Sequence, residues 1–289
     1  MKAKGLNLTL SVSVFILTVL NTFKLTSGNG TIFGLSEYVT NAIIFFTAFI
    51  SVIVLLILGH FVKVSSQNLN LSKNTSTKIF AITSIFVAIA IVVNSVYRLM
   101  DYLFVYRNII QLVLSLFGFL SCVTFVMIGF GAFKNTNIFK NKEYLTLFPV
   151  FWCIIRLYER YTVYSATSNY PWEMADEILI IFALLFFLYQ AKVFANIESK
   201  NKFKNIVVFG YSYIIFFAAF VTSYIKASSN IEFSNNLIDL SILIFIAFFI
   251  LISKASLSED NAPVRDVLAD DFDEEIGTSA AFKDAQNQE

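Results

Sequence analysis

Apolar residues in this chain come in long blocks rather than in alternation. Eight stretches, near 6 to 23, 41 to 62, 79 to 98, 108 to 133, 144 to 164, 176 to 197, 205 to 225 and 235 to 253, read as membrane-crossing helices. A helix rises about 1.5 Å per residue, so the roughly 30 Å of bilayer hydrocarbon needs about 20 apolar residues. Runs such as Ala183-Leu-Leu-Phe-Phe-Leu188 lack the alternation of a barrel strand, which excludes a transmembrane β-barrel. The pattern predicts an all-α fold, a polytopic membrane helical bundle of about eight transmembrane helices spanning residues 1–254. The first stretch is the weakest, diluted by Asn7, Thr9, Ser11, Ser13 and Thr18, and Met1-Lys-Ala-Lys4 resembles the charged start of a secretory signal. No clear small-x-small cleavage site follows, so it reads as an uncleaved anchor. Cleavage would leave seven spans.

Composition agrees with this reading. Apolar types make up 57% of the 289 residues and charged types 14%, against about 25% charged in an ordinary soluble domain. With 33 Phe and a mean hydropathy of +0.72, neither a simple soluble enzyme nor a largely disordered chain fits.

The net charge of +1 conceals two unlike parts. Residues 255–289 carry ten acids and two bases, a net −8, which leaves +9 on residues 1–254. Positive charge in short loops marks the cytoplasmic side. One set of helix ends carries Lys2, Lys4, Lys63, Lys73, Lys78, Lys134, Lys140, Lys142, Lys200, Lys202, Lys204 and Lys254. The opposite set carries only Lys24, Arg98, Arg107 and Lys226. Both termini are therefore expected in the cytoplasm. The Lys-heavy, Asn-rich, Phe-rich usage, with 16 Lys to 5 Arg, hints at an AT-rich bacterial genome, so the protein is expected in a bacterial cytoplasmic membrane. The acidic tail, mostly too polar to bury a core, holds Val264, Val267, Leu268, Phe272 and Ile276 at helical spacing. Segment 263–276 is thus a possible helix for a cytosolic partner protein, the alternative being a solvated tail.

The fifth stretch departs from the rest by holding Arg156, Glu159 and Arg160. From Tyr144 to Ile155 is 12 residues, roughly 18 Å of helix, so Arg156 lies inside the outer half of the bilayer. At 100° per residue, Pro149, Trp152, Cys153, Arg156, Glu159, Arg160 and Val163 share one side. Leu147, Phe151, Ile154, Ile155 and Tyr158 share the other. An arginine at mid-membrane costs about 2.5–3.5 kcal/mol to insert, so the polar seam is expected to face protein or water.

Glu159 neutralises part of the seam's charge locally, whether beside Arg156 or Arg160, and one positive charge is left over. Asp176 and Glu177 at the start of the sixth span, Asp239 early in the eighth and Asp101 after the third are the partners available on the outer side. Each has a structural reading as well. Asp176 and Glu177 suit a helix N-terminus opened by Pro171, Asp239 follows Asn235 and Asn236 in the same way, and the outer tyrosines suit an interfacial belt. For Arg156 a ligand, ion or conformational role and a purely structural pair stand side by side. Asn94 and Gln111 read as interhelix hydrogen-bond glue, and His60 as an interfacial residue.

Across Pro149-Val150, Trp152, Arg156-Leu157, Tyr164, Asn169, Asp176, Leu184-Leu-Phe-Phe187 and Lys192 the chain resembles an uncharacterised family of multispanning membrane proteins of clostridia-like Gram-positive bacteria. The resemblance covers about a sixth of the chain and brings no activity with it. It implies a shared core pair of Arg156 with Asp176. This sequence departs from the family pattern at Glu159 and Arg160, where the family is uncharged, and at Pro171-Trp172.

An intramembrane enzyme is not expected. One histidine, two cysteines without a sequence-local base (Cys122 and Cys153), and the lack of Gly-x-Ser-x-Gly, His-Glu-x-x-His or phosphate-loop patterns offer no catalytic constellation, metal site or cofactor. The leading expectation is a ligand-binding membrane protein, a transporter or receptor-like sensor. It would use an outward-facing charged and aromatic cavity formed by Arg156, Asp176, Glu159, Arg160, Trp152, Glu177 and Asp239. The expected partners are the lipid bilayer and a small anionic ligand on the outer side, with no nucleic acid. The alternative is a membrane scaffold or assembly factor whose acidic tail recruits a cytosolic protein.

Overall fold

The computed structural model describes residues 2–26, 35–61, 75–106, 108–134, 139, 142–164, 174–195, 197, 202–224 and 230–259. These form eight α-helices: α1 Lys2–Thr26, α2 Glu37–Phe61, α3 Thr75–Asp101, α4 Ile109–Lys134, α5 Phe148–Tyr164, α6 Ala175–Phe194, α7 Lys202–Tyr224 and α8 Asn230–Glu259. Among the described residues there is no strand, as the blocked hydropathy predicts. Seven helices are long and apolar enough to cross a bilayer, and the one that is not is the charged α5. It has 17 residues and is entered through a tight 3-10 turn, Glu143–Leu147, whose Leu145 carbonyl accepts from Thr124 Oγ1 of α4. Helix α8 continues to Glu259, past the expected end of the membrane domain at 254. The proposed partner-binding segment 263–276 lies outside the described residues.

Packing closes six of the helices into a ring. Helix α3 lies against α4 and α8, α4 against α5, α5 against α6, α6 against α7, and α7 against α8. The pair α1 and α2 packs on the outside of α7. The polar residues that dilute the first stretch partly explain how α1 is held. Asn21 Nδ2 donates to the main-chain oxygens of Ala218 and Ala219 on α7, and Tyr211 donates its hydroxyl to Asn7 Oδ1. In hydrocarbon such groups are stable only when another helix satisfies them.

Inside the ring two different fillings are stacked. Towards the end where α4 and α8 finish, phenylalanines interlock, one of the following pairs tilted and two edge to face. Phe80 of α3 meets Phe245 of α8 at 5.1 Å between ring centres, Phe125 of α4 meets Phe245 at 5.3 Å, and Phe186 of α6 meets Phe249 at 5.6 Å. Offset and edge-on geometry is the favoured one for aromatic pairs, worth about 0.5–1.5 kcal/mol beyond the area buried. At the other end, where α4, α6 and α8 begin, the filling is charged. We term this the upper end. Asp239 of α8 stands six residues, about 9 Å along the helix, from Phe245.

Small residues allow the close approaches. An added Cβ at Gly129 of α4 would lie 3.1 Å from the main-chain oxygen of Ala81 on α3. One at Gly210 of α7 would lie 2.6 Å from Ile250 Cδ1 and 2.9 Å from Ile246 Cγ2, both on α8. Overpacking of this kind typically costs about 1–3 kcal/mol. Gly210→Leu is expected to lower stability by about that amount, read as a fall in the unfolding temperature of the purified protein in detergent; an unchanged transition would contradict the packing of α7 on α8.

Candidate functional site

Helix α5 carries the site because its two sides differ so sharply. Trp152, Cys153, Arg156 and Glu159 are buried, whereas Phe151, Ile154, Tyr158 and Tyr161 are exposed. The polar seam read from the sequence therefore faces the interior of the ring. The apolar back suits lipid. Among the described residues three ion pairs leave this one helix, and each goes to a different neighbour.

The deepest is Arg156 with Asp239 of α8. Arg156 Nη1 donates to Asp239 Oδ1 at 2.7 Å and Nη2 to Oδ2 at 2.9 Å, a two-point fork that only a planar guanidinium makes. The Trp152 ring, one turn away on the same helix, lies with its centre 5.5 Å from the guanidinium carbon. From α7, Tyr213 donates its hydroxyl to the main-chain oxygen of Asp239 at 2.9 Å. Arg156 Nε has no hydrogen-bond partner among the described residues.

One turn nearer the upper end, Glu159 pairs with Arg98 of α3. Arg98 is 1% exposed, and its partners come from four helices. Its Nε donates to Asn94 Oδ1, its Nη1 to Gln111 Oε1 of α4 and to Glu159, and its Nη2 to Asn235 Oδ1 of α8. Asn94 Nδ2 donates to Ser234 Oγ and Asn235 Oδ1, and Gln111 Nε2 donates to the same Glu159 oxygen that Arg98 engages. The other carboxylate oxygen, Glu159 Oε2, has no hydrogen-bond partner among the described residues.

The third pair is at the rim. Arg160 Nη2 stands 3.7 Å from Asp176 Oδ2 in the first turn of α6, and the Asp176 side chain is 44% exposed. Beside it Glu177 is buried, and its Oε2 likewise lacks a hydrogen-bond partner among the described residues.

These pairings correct several expectations. Arg156 is held by Asp239 rather than by Asp176, because Asp176 opens α6 at the height of Arg160, one turn above Arg156. Glu159 serves neither Arg156 nor Arg160 as its ion-pair partner but reaches across the ring to α3. Arg98, counted among the edge charges, is withdrawn into the bundle. Pro171, the expected opening of α6, lies outside the described residues; the described helix opens at Ala175.

Asn94 and Gln111 do act as interhelix glue. Tyr213, Asn235 and Ser234 were not singled out as site residues. A usable signal was present in the four-residue spacing of Asn94 with Arg98 and of Asn235 with Asp239, each pair facing one way from an otherwise apolar helix.

Compared with known protein families, curated proteins and solved structures, the chain matches none. The site is therefore read from its own geometry. Removing one partner of a buried pair typically costs about 3–5 kcal/mol, whereas an exposed pair contributes about 0–1 kcal/mol. Arg98→Leu is accordingly expected to destabilise the purified protein severely and Asp176→Asn, at the carboxylate that is 44% exposed, to cost much less. Equal effects in a denaturant titration of the two variants would refute the ranking of the pairs.

Proposed function

We propose that this multi-pass membrane protein binds a small ligand at its upper end, as a transporter or receptor-like sensor, through exchange of the Arg156–Asp239 pair. The observation that carries the reading is the contrast between the two buried arginines. Arg98 has donors from all three of its nitrogens engaged, on partners from four helices, and works as a lock. Arg156 has both terminal nitrogens on a single carboxylate, keeps its Nε unspent and lies under a tryptophan ring. A charge held by one partner changes that partner at the cost of one contact. A charge held by four helices does not.

Ionisable side chains inside a membrane are costly and mark substrate or ion pathways more often than not. The lysine-rich set of helix ends supports an orientation in which the upper end faces outward from a bacterial cytoplasmic membrane; the withdrawal of Arg98 into the bundle leaves that asymmetry larger. The ligand's anionic group takes the fork of Arg156 in this reading. A scaffold would instead make Arg156 a second lock, permanently closed to water.

The chain has two tryptophans, so Trp172→Phe leaves Trp152 as the sole reporter beside Arg156. Acrylamide added outside sealed vesicles is expected to quench Trp152 emission, because an exchanging site opens to the aqueous phase. A Trp152 signal that acrylamide does not reach would mean a closed structural pair and would end the ligand-binding reading.

A further inference from the structure

Exchange of the Arg156–Asp239 pair restricts what can replace it, through the charges it leaves behind. Both side chains are buried, at 4% and 7% exposure. An anion that took Arg156 would strand the Asp239 carboxylate inside the ring. Among the described residues no other cation near it is unengaged: Arg160 lies against Asp176 of α6, and Arg98 is engaged by Glu159, Gln111, Asn94 and Asn235. From α7, Tyr213 gives its hydroxyl to the main-chain oxygen of Asp239 and not to the carboxylate. A lone cation placed on Asp239 would strand Arg156 in the same way. Buried charge without a partner is the costly outcome in both cases.

A ligand that carries both charges avoids it. An anionic group on Arg156 and a cationic donor on Asp239 together replace the pair with no change in net charge. A second observation points to the same chemistry. Arg156 Nε, a donor, and Glu159 Oε2, an acceptor, are both without a hydrogen-bond partner among the described residues, and both belong to buried residues one turn apart on the seam of α5. The seam thus offers one further contact to each end of a dipolar ligand.

We propose that the ligand is a small zwitterion of the amino-acid type. Its carboxylate takes the Arg156 fork, and its ammonium faces Asp239 and Glu159 Oε2. The proposal rests on the exchange reading above and adds to it the chemical class of the ligand.

The full-length protein with Trp172→Phe, held in lipid nanodiscs, is titrated with glycine, alanine and leucine as zwitterions, acetate as an anion and methylammonium as a cation. Trp152 emission and the unfolding temperature are the readouts. At least one zwitterion is expected to bind at least about tenfold more tightly than acetate or methylammonium. In Asp239→Asn, which frees Arg156 of its carboxylate and removes the ammonium partner, the ranking is expected to invert in favour of acetate. If that variant does not accumulate in the membrane, the ranking in the parent protein alone decides. Acetate binding as tightly as the zwitterions would overturn the zwitterion while leaving the ligand-exchange reading standing. Methylammonium doing so would overturn the dipolar site in favour of a cation site, and no response to any probe would overturn both readings.

Discussion

A guanidinium buried in hydrocarbon has to be matched by charge and hydrogen bonds, and most of this structure follows from satisfying that demand twice. Helix α5 is too short and too charged to cross a bilayer by its own apolarity. It is tolerated because its seam faces other helices, and the helices that face it supply Asp239, Arg98, Asn235 and Gln111. The ring of α3 to α8 is the arrangement in which α8, α3 and α6 can each meet α5 at a different height. Desolvation makes such pairs weak sources of stability compared with apolar packing, yet loss of one partner is severe. Net stability is better ascribed to the phenylalanine layer at the other end, while the charged layer fixes which helix lies beside which.

Much of the fold was legible in the sequence because hydrophobic blocks of membrane length have few alternatives. The eight helices fall where the apolar stretches lie, and the buried and exposed sides of α5 match the seam assigned by rotation of 100° per residue. What was not legible is which carboxylate meets which arginine. The sequence reads Asp176, Glu177 and Asp239 all as residues near helix starts and so gives each the same local explanation. But α8 opens at Asn230, which puts Asp239 nine residues inside the helix, while only Asp176 and Glu177 lie in a first turn. The choice is made by height and by the side of the ring each helix occupies, which are properties of the assembled bundle. Arg98 departs from its sequence expectation for a related reason. It stands near the end of an apolar run, where a charge is ordinarily an edge marker, but α3 continues to Asp101, with a further π-helical turn over Tyr102–Tyr106, and this keeps Arg98 inside.

In the proposed reading, the two buried arginines let a single helix be anchored and yet retain a replaceable contact. Satisfaction from four helices makes the Arg98 centre rigid. The Arg156 centre, below it and above the phenylalanines, has fewer partners and one unspent donor, Arg156 Nε, among the described residues. Rigid surroundings with one under-satisfied contact are what a binding site in a helical bundle requires, since the ligand then competes with one residue and not with the fold. The third pair, Arg160 with the half-exposed Asp176, adds charge at the upper end.

The placement of α5 opposite α8 depends on Arg156 and Asp239 meeting across the ring. A double-mutant cycle built from Arg156→Leu, Asp239→Leu and the two together, with unfolding measured in the same lipid or detergent, tests that contact directly. The structure predicts that each single change is strongly destabilising and that the double variant recovers much of the loss, with a coupling energy at the upper part of the roughly 0.5–3 kcal/mol range seen for interacting residues. Additive losses in the double variant would mean that the two side chains do not meet, and the arrangement of α5 against α8 would have to be abandoned.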